Sequence, residues 1–289
     1  MTTGRKARPA TLLLVGTGLV GGSFALAAKA HGVFSRVVGI DRRTEALDQA
    51  LALGIIDDRA GDAAESRFDA ACVAVPLAGI ASCVLNASKS ATVVFDVGSV
   101  KGPVIDALEP PPENYVPCHP IAGSEQHGPG AADGALFRNR TVVMTPTDAT
   151  AAWAAAEVRR IWEAIGADVE TQTPDQHDER FALLSHLPHL VAVAFMDVVG
   201  RAGSSAGAGS GFRDFTRIAA GDAEVWHDIL HGNAGHVRRY LDELIEDLRS
   251  LGDAAAKGGP PLRRRIEGAS RLRRAFDQAR RLPATRPRD

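Results

Sequence analysis

Short apolar runs alternate with helical stretches up to about residue 170, and this alternation limits the fold more than any other feature. The apolar runs are rich in Val, which is typical of strands buried on both faces. The predicted strands are Thr11–Val15, Arg36–Ile40, Ala70–Val75, Thr92–Val97, Tyr115–Cys118, Thr141–Thr145 and Asp168–Thr171. The predicted helices are Gly22–His31, Thr44–Leu53, Leu77–Ala87 and, after Asp148 as its cap, Ala151–Ile165. Such alternation predicts a parallel, doubly wound α/β sheet.

The pattern changes after Pro174. No strand is predicted over residues 175–252, where helical periodicity dominates apart from a Gly/Ser-rich break at residues 202–211. A domain boundary is therefore expected near residues 172–175. Because the long apolar helices exceed what one small domain can bury, the chain is expected to form a homodimer.

Charge and composition exclude several classes of protein. The 289 residues contain 33 Lys and Arg against 35 Asp and Glu, so a net charge of −2 provides no global field for nucleic acid or an anionic membrane. Basic residues before residues 11–28 resemble a signal peptide, but four glycines break the apolar run and favour a turn. No segment is expected to span a membrane. The three cysteines favour a reducing cytoplasm, since they form neither a zinc pattern nor a disulfide framework; they are Cys72, Cys83 and Cys118.

The C-terminal segment is strongly basic. Residues 257–289 contain eleven Lys and Arg and three Asp and Glu, a balance of +8. Apolar residues recur there at steps of three or four, which indicates an amphipathic helix with an Arg-rich outer face. A polyanion-binding tail is the alternative interpretation. A stripe this regular favours a helix whose Arg-rich face is solvated and whose apolar face packs on a partner surface.

A glycine motif follows the first predicted strand directly. Gly16 to Gly21 reads G-x-G-x-x-G and leads into a helix. Gly16 permits the tight turn, Gly18 lets the backbone approach a pyrophosphate, and Gly21 allows close packing of helix and strand. The N-terminus of the following helix presents amides to the phosphates, and Leu19 and Val20 within the motif are further cofactor-binding candidates. The motif predicts an N-terminal Rossmann-like, NAD(P)-binding domain over residues 1–173, followed by an all-helical substrate and dimerisation domain over residues 174–289.

An acidic residue stands where a ribose-binding carboxylate is expected. Asp41 follows Gly21 by 20 residues, at the end of the second strand. Its carboxylate favours NAD because it would repel a 2′-phosphate. Arg42 and Arg43 keep NADP open, since an adjacent guanidinium can pair with that phosphate.

Polar residues follow the later strands as well. Ser99, in the sequence DVGSVK, could bond a substrate hydroxyl or cap a helix. His119, in HPIAGSE, is placed to act as a general base. Two histidines in SHLPH, His186 and His189, share a helix face, but no further ligand completes a metal site nearby. Arg213 and Arg217, in GFRDFTR, could grip carboxylates, or Arg213 could pair with its neighbour Asp214.

Five sequence blocks, taken together and in order, resemble the prephenate and arogenate dehydrogenase family of tyrosine biosynthesis. The blocks are GTGLVGGS from Gly16, DVGSVK from Asp96, HPIAGSE from His119, SHLPH from Ser185 and GFRDFTRIA from Gly211. The resemblance implies oxidation of a ring C4 hydroxyl by NAD, or by NADP, with loss of the ring carboxylate as CO2. The product would be 4-hydroxyphenylpyruvate from prephenate or tyrosine from arogenate.

The resemblance also implies roles for individual residues. His119 would take the hydroxyl proton, Ser99 would bond the hydroxyl and order the nicotinamide, and His189 would be a second active-site histidine. Arg217 would bind a substrate carboxylate, with Arg213 a basic position beside it. Four further residues would line or gate the pocket: Ser124, Glu125, Asp214 and Trp226.

Other functions remain open from the residues alone. A dehydrogenase of an amino-substituted prephenate analogue in secondary metabolism would carry the same motifs. A β-hydroxyacid dehydrogenase-like reductase would share the domain order, although it usually relies on a Lys or Asp in its second domain. A non-catalytic NAD sensor would lack the proton acceptor that His119 provides.

Overall fold

The computed structural model describes residues 10–61, 67–123, 126–203 and 207–281. The chain divides into two compact units, the first ending at Val237 and the second starting at Arg238. The proposed division between residues 173 and 174 falls inside the first unit and stays a prediction. All of the candidate site residues belong to the first unit.

A six-stranded parallel sheet forms the first layer of that unit. Its strands are β1 Thr11–Val15, β2 Arg36–Ile40, β3 Asp58–Arg59, β4 Phe68–Val73, β5 Ala91–Asp96 and β6 Tyr115–Val116. They lie in the order β3-β2-β1-β4-β5-β6, and every neighbouring pair is parallel. This order reverses direction at β1, so the predicted doubly wound sheet is confirmed. The two-residue β3 is too short to give a sequence signal.

The last three strands do not join this sheet. β7 (Cys118–Pro120), β8 (Thr141–Met144) and β9 (Asp168–Thr171) form a second sheet, in which β7 runs antiparallel to β8. The predicted strand Tyr115–Cys118 is therefore wrong as one element. It divides at Pro117, which has no N–H to donate to a ladder.

Helices connect the strands and build the rest of the described chain. They are α1 Leu19–Ala30, α2 Thr44–Ala52, α3 Leu77–Ala87, α4 Gly102–Asp106, α5 Ala152–Ala164, α6 Pro174–Phe181, α7 Leu187–Ala202, α8 Ser210–Thr216, α9 Ala223–Gly232, α10 Ala234–Lys257 and α11 Pro260–Arg281. A π-helical turn, Ala182–His186, joins α6 to α7. Asp148 does not cap α5, because it lies in a turn before Thr150 and the cap position is Ala151.

Aromatic packing between the sheet and its helices forms the centre of the core. Trp162 of α5 contacts Phe24, Phe95 and Phe137 at ring-centroid distances of 4.9, 5.6 and 5.2 Å. All four side chains are buried. The N-terminal apolar run lies in this core, since Leu12 and Leu14 of β1 are also buried.

The second half of the first unit leaves apolar surface exposed. Pro174–Ala202 is a continuous helical segment of 29 residues, long and apolar enough to cross a membrane by length and composition alone. Several large apolar side chains of this segment and of α8 are exposed; they are Leu183, Leu184, Val193, Phe195, Val198 and Phe215. In the second unit, Ile266, Leu272 and Phe276 of α11 are exposed as well. The predicted amphipathic helix near the C-terminus is confirmed as α11, and in the single chain its apolar stripe is open to solvent.

Candidate active site

The glycine turn between β1 and α1 has the geometry that its motif predicts. Gly16 has φ of +94°, and a Cβ there would lie 2.2 Å from the carbonyl oxygen of Ala74. A Cβ on Gly21 would lie 2.2 Å from the Gly16 carbonyl oxygen. A Cβ on Gly18 would meet nothing within 4 Å, so the backbone borders open space there. Two glycines are thus required by packing, and Gly18 leaves room for a ligand.

Helix α1 begins at this turn, three residues earlier than predicted. It starts at Leu19 rather than Gly22. Gly21 and Gly22 lie on its buried face, where the side chain of a larger residue would clash. No side chain caps its N-terminus at Gly18. The first amides, from Leu19 and Val20, therefore remain available to an anion.

Asp41 lies just after β2 and faces the glycine turn. Its Oδ2 accepts hydrogen bonds from the Thr17 amide and hydroxyl at 2.9 and 3.0 Å, and Oδ1 accepts one from the Arg43 amide at 3.0 Å. Burial opposes ionisation, but these hydrogen bonds outweigh it and lower the carboxyl pKa. Asp41 therefore carries a fixed negative charge beside the turn, while Arg42 is exposed.

His119 belongs to β7 rather than to the loop after a strand. It pairs with Val143 of β8, and its ring is held between His177 and Phe181, with centroid distances of 5.0 and 4.9 Å. Its Nδ1 lies 2.8 Å from Nε2 of His177. Burial, with the neighbouring His177, Lys101 and His186, lowers the pKa of His119 well below its usual value. The ring is thus a neutral base at physiological pH.

A carboxylate stands behind this pair of histidines. Nδ1 of His177 lies 2.7 Å from Oδ1 of Asp178, and both side chains are buried. The amides of Lys101 and Gly102, at the start of α4, donate to the same carboxylate at 2.8 to 3.2 Å. Although burial opposes it, these bonds lower the Asp178 pKa. Asp178 therefore ties α6 to the DVGSVK loop.

A buried ion pair lies in that loop. Lys101 and Asp96 have no solvent exposure, and Nζ lies 2.6 Å from Oδ2 of Asp96 and 2.6 Å from the Cys118 carbonyl oxygen. Oδ1 of Asp96 accepts a further bond from the Tyr115 hydroxyl at 2.8 Å. These contacts fix the loop against the strand that carries His119.

His189 and Trp226 form a second cluster. Their rings stack at 3.5 Å with an interplanar angle of 7°, and Nδ1 of His189 is buried without a hydrogen-bond partner among the described residues. A Cβ on Gly221 would lie 2.4 Å from Nε1 of Trp226, so this position also requires glycine. His186 differs from His189, because its Nδ1 lies 3.0 Å from Nδ2 of Asn233. The two histidines thus have different partners. Among the described residues, no three His, Cys, Asp or Glu side chains lie close enough together to hold a metal ion.

The other predicted site residues lie at the surface or outside the described chain. Ser99 is partly exposed and does not cap α4, whose cap position is Lys101. Arg213 and Asp214 are exposed on α8, and Arg213 donates to the Ala208 carbonyl oxygen at 3.2 Å instead of pairing with Asp214. Arg217 is exposed in the turn that follows α8. Ser124 and Glu125 lie outside the described residues.

Sequence reasoning missed His177, Asp178 and Asn233. His177 and Asp178 sit 58 and 59 residues beyond His119, and Asn233 donates to the Asp178 carbonyl oxygen from 55 residues further on. The adjacent His-Asp pair just after Pro174 was a usable signal, since a buried carboxylate commonly orients a histidine.

Comparison with known proteins decides the family. The family model described as the nucleotide-binding domain of prephenate dehydrogenase matches residues 24–171, and the model described as its dimerization domain matches residues 173–261. This chain belongs to the prephenate dehydrogenase family. It is therefore an NAD-dependent oxidoreductase, and the resemblance seen in its sequence blocks is confirmed.

Several known proteins align with this chain over most of its length. A cyclohexadienyl dehydrogenase of Zymomonas mobilis is 36% identical over 85% of this chain and 88% of its own. A prephenate dehydrogenase of Bacillus subtilis is 32% identical over 83% of this chain and 69% of its own. The crystal structure of Aquifex aeolicus prephenate dehydrogenase with hydroxyphenyl propionate and NAD+ has a TM-score of 0.85 at 29% identity, covering 94% of this chain and all of that one.

Proposed function

We propose that this enzyme oxidatively decarboxylates prephenate or arogenate. The ring C4 hydroxyl would give its proton to His119, and carbon C4 would give its hydrogen as a hydride to the cofactor. The ring carboxylate would leave as CO2, and the electrons of the broken C–C bond would complete the aromatic ring. The ring oxygen would take back the proton from His119 and become the phenol hydroxyl. The products are 4-hydroxyphenylpyruvate or tyrosine, CO2 and reduced cofactor.

The placement of His119 on β7, with its ring held between His177 and Phe181, is the observation that carries this proposal. A general base must be unprotonated before the reaction and must be held in one orientation. Burial keeps the pKa of His119 low, and contacts with His177 and Phe181 hold its ring. Ser99, partly exposed on the neighbouring loop, would bond the same hydroxyl.

The residues of the glycine turn fit a dinucleotide. Open space at Gly18, the uncapped start of α1 and the ionised Asp41 would receive the pyrophosphate and the adenine ribose. When bound, the nicotinamide accepts the hydride. Since the Asp41 carboxylate would repel a 2′-phosphate, NAD is preferred over NADP.

The direct test is a four-way initial-rate assay. Prephenate or arogenate is supplied with NAD or NADP, and reduced-cofactor absorbance is followed. We expect turnover with NAD and at least one of the two substrates. Absence of turnover in all four mixtures, by protein that still binds NAD in calorimetry, would contradict the proposed substrates. An amino-substituted analogue would then be assayed in the same way.

Arg217 is proposed to bind a substrate carboxylate. We expect Arg217→Ala to raise KM for the substrate by at least about 10-fold, the loss of a charge-assisted bidentate contact, with little change in KM for NAD. Arg201→Ala, at an exposed position of α7, is the matched control. A raised KM for NAD with an unchanged substrate KM would contradict the assignment.

The chain is proposed to act as a cytoplasmic homodimer. The dimerization-domain match and the exposed apolar side chains of Pro174–Ala202 support the dimer. The three unpaired cysteines fit a reducing compartment. Light scattering is expected to give about twice the chain mass of 30.4 kDa, since dimer assembly would cover apolar surface. A mass of one chain at micromolar concentration would contradict this.

A further inference from the structure

We propose that Asp178 and His177 fix the tautomer of His119, leaving Nε2 as the nitrogen that takes the substrate proton. This inference rests on the proposed function, and it adds two positioning residues to it. Neither residue appears among the roles that the sequence resemblance implies. One line of hydrogen bonds runs from the Asp178 carboxylate through His177 to the base, His119.

The first bond determines the tautomer of His177. An ionised carboxylate can only accept hydrogen bonds, so His177 Nδ1, 2.7 Å from Oδ1 of Asp178, must carry a proton. The amides of Lys101 and Gly102 already donate to Asp178, which stabilises its ionised form. A neutral imidazole carries one N–H, so Nε2 of His177 is left as an acceptor.

The second bond determines the tautomer of His119. Its Nδ1 lies 2.8 Å from the His177 acceptor, so it must be the donor, and the lone pair of His119 lies on Nε2. The reverse arrangement would place the lone pair of His177 Nδ1 against the charged Asp178 oxygen. Burial lowers the pKa of both histidines, which keeps both rings neutral and the arrangement unique.

The same line stabilises the proton once it is transferred. Uptake at Nε2 makes His119 an imidazolium, whose Nδ1–H still donates to His177. The charged and titratable groups that face His119 are His177, Lys101 and His186, and the Lys101 charge is balanced by Asp96 at 2.6 Å. Asp178, behind His177, provides negative charge that offsets the new positive charge.

The tautomer can be read without any substrate. In protein labelled with 15N at histidine, NMR at neutral pH is expected to show His119 with a protonated Nδ1 and an unprotonated Nε2. In Asp178→Asn, one amide oxygen can still accept from the backbone while the NH2 group faces His177 Nδ1. We expect both rings to switch tautomer and kcat to fall by about 10²- to 10⁴-fold, the size of a lost general base, with KM for NAD unchanged.

A matched control lies on the same helix. Asp175 also contacts a histidine, His236, at 3.1 Å, but it is exposed and does not reach His119. Asp175→Asn should leave the His119 spectrum and kcat as in the parent. His177→Gln should retain more activity than His177→Leu, because the glutamine oxygen can still accept from His119 Nδ1–H.

The results separate this inference from the proposed function. A parent spectrum with the proton of His119 on Nε2, or an unchanged tautomer and kcat in folded Asp178→Asn, would overturn the relay while leaving the dehydrogenase assignment intact. If the four-way assay fails instead, the spectra still decide the tautomer. If thermal melting shows that His177→Gln and His177→Leu are both folded, equal activity of the two variants would also count against the relay.

Discussion

Replacing His119 by asparagine is expected to lower kcat by at least about 100-fold, because the substrate hydroxyl loses the base that accepts its proton. The amide of asparagine can still bond the hydroxyl but cannot take its proton. NAD affinity should not change, since His119 lies on β7 and the glycine turn lies between β1 and α1. The measurements are kcat with the better substrate and calorimetry with NAD.

The control for this variant is an exposed histidine whose ring contacts Asp228 and His231. His227→Asn, at an exposed position of α9, should keep parental kcat. Near-parental turnover by His119→Asn would remove His119 from the mechanism. A fall in NAD affinity alone would instead indicate damage to the nucleotide site.

The pH profile tests the same role. His119 acts only when neutral, so kcat/KM should rise as pH rises through its pKa and fall below it. The sequence alone would place this limb near ~6.5, the ordinary value for histidine. Burial lowers the pKa, so the limb is expected at more acidic pH. The limb should disappear in His119→Asn, and a limb that stays would belong to another group.

Local patterns were enough to predict the geometry of the glycine turn. Gly16, Gly21 and Asp41 stand at the fixed spacing of one motif, and the structure gives them the expected turn and hydrogen bonds. His177 and Asp178 are different. Their partners lie in β7 and α4, far along the chain, and only the assembled fold places them together.

The sequence did not predict that β7, β8 and β9 form a sheet of their own, for a related reason. The run that became β8 has the apolar character of a buried strand, whereas β7 and β9 contain few apolar residues. Their pairing depends on the break at Pro117 and on which neighbour each strand finds in three dimensions. Hydrophobic periodicity indicates which face of a segment is buried, but it does not indicate which strand that segment pairs with.

Replacing Gly16 by alanine is expected to destabilise the fold by about 2–5 kcal/mol and to abolish measurable NAD binding. An L-residue at φ of +94° costs about 1–2 kcal/mol, and an atom placed 2.2 Å from the Ala74 carbonyl oxygen forces β4 and the turn apart at a cost of about 1–3 kcal/mol more. Because that turn begins α1, its amides lose the arrangement that would hold the phosphates. Thermal melting and NAD calorimetry measure the two effects.

Gly18→Ala separates packing from ligand contact at the same turn. A Cβ there meets nothing within 4 Å, so stability should stay within about 0.5 kcal/mol of the parent. The added methyl group would project into the space proposed for the pyrophosphate, so the NAD dissociation constant should still rise by at least about 10-fold. Unchanged NAD binding by Gly18→Ala would show that the open space is not the nucleotide site. A Gly16→Ala protein as stable as the parent would contradict the strain argument, since no side chain at that position avoids the Ala74 carbonyl.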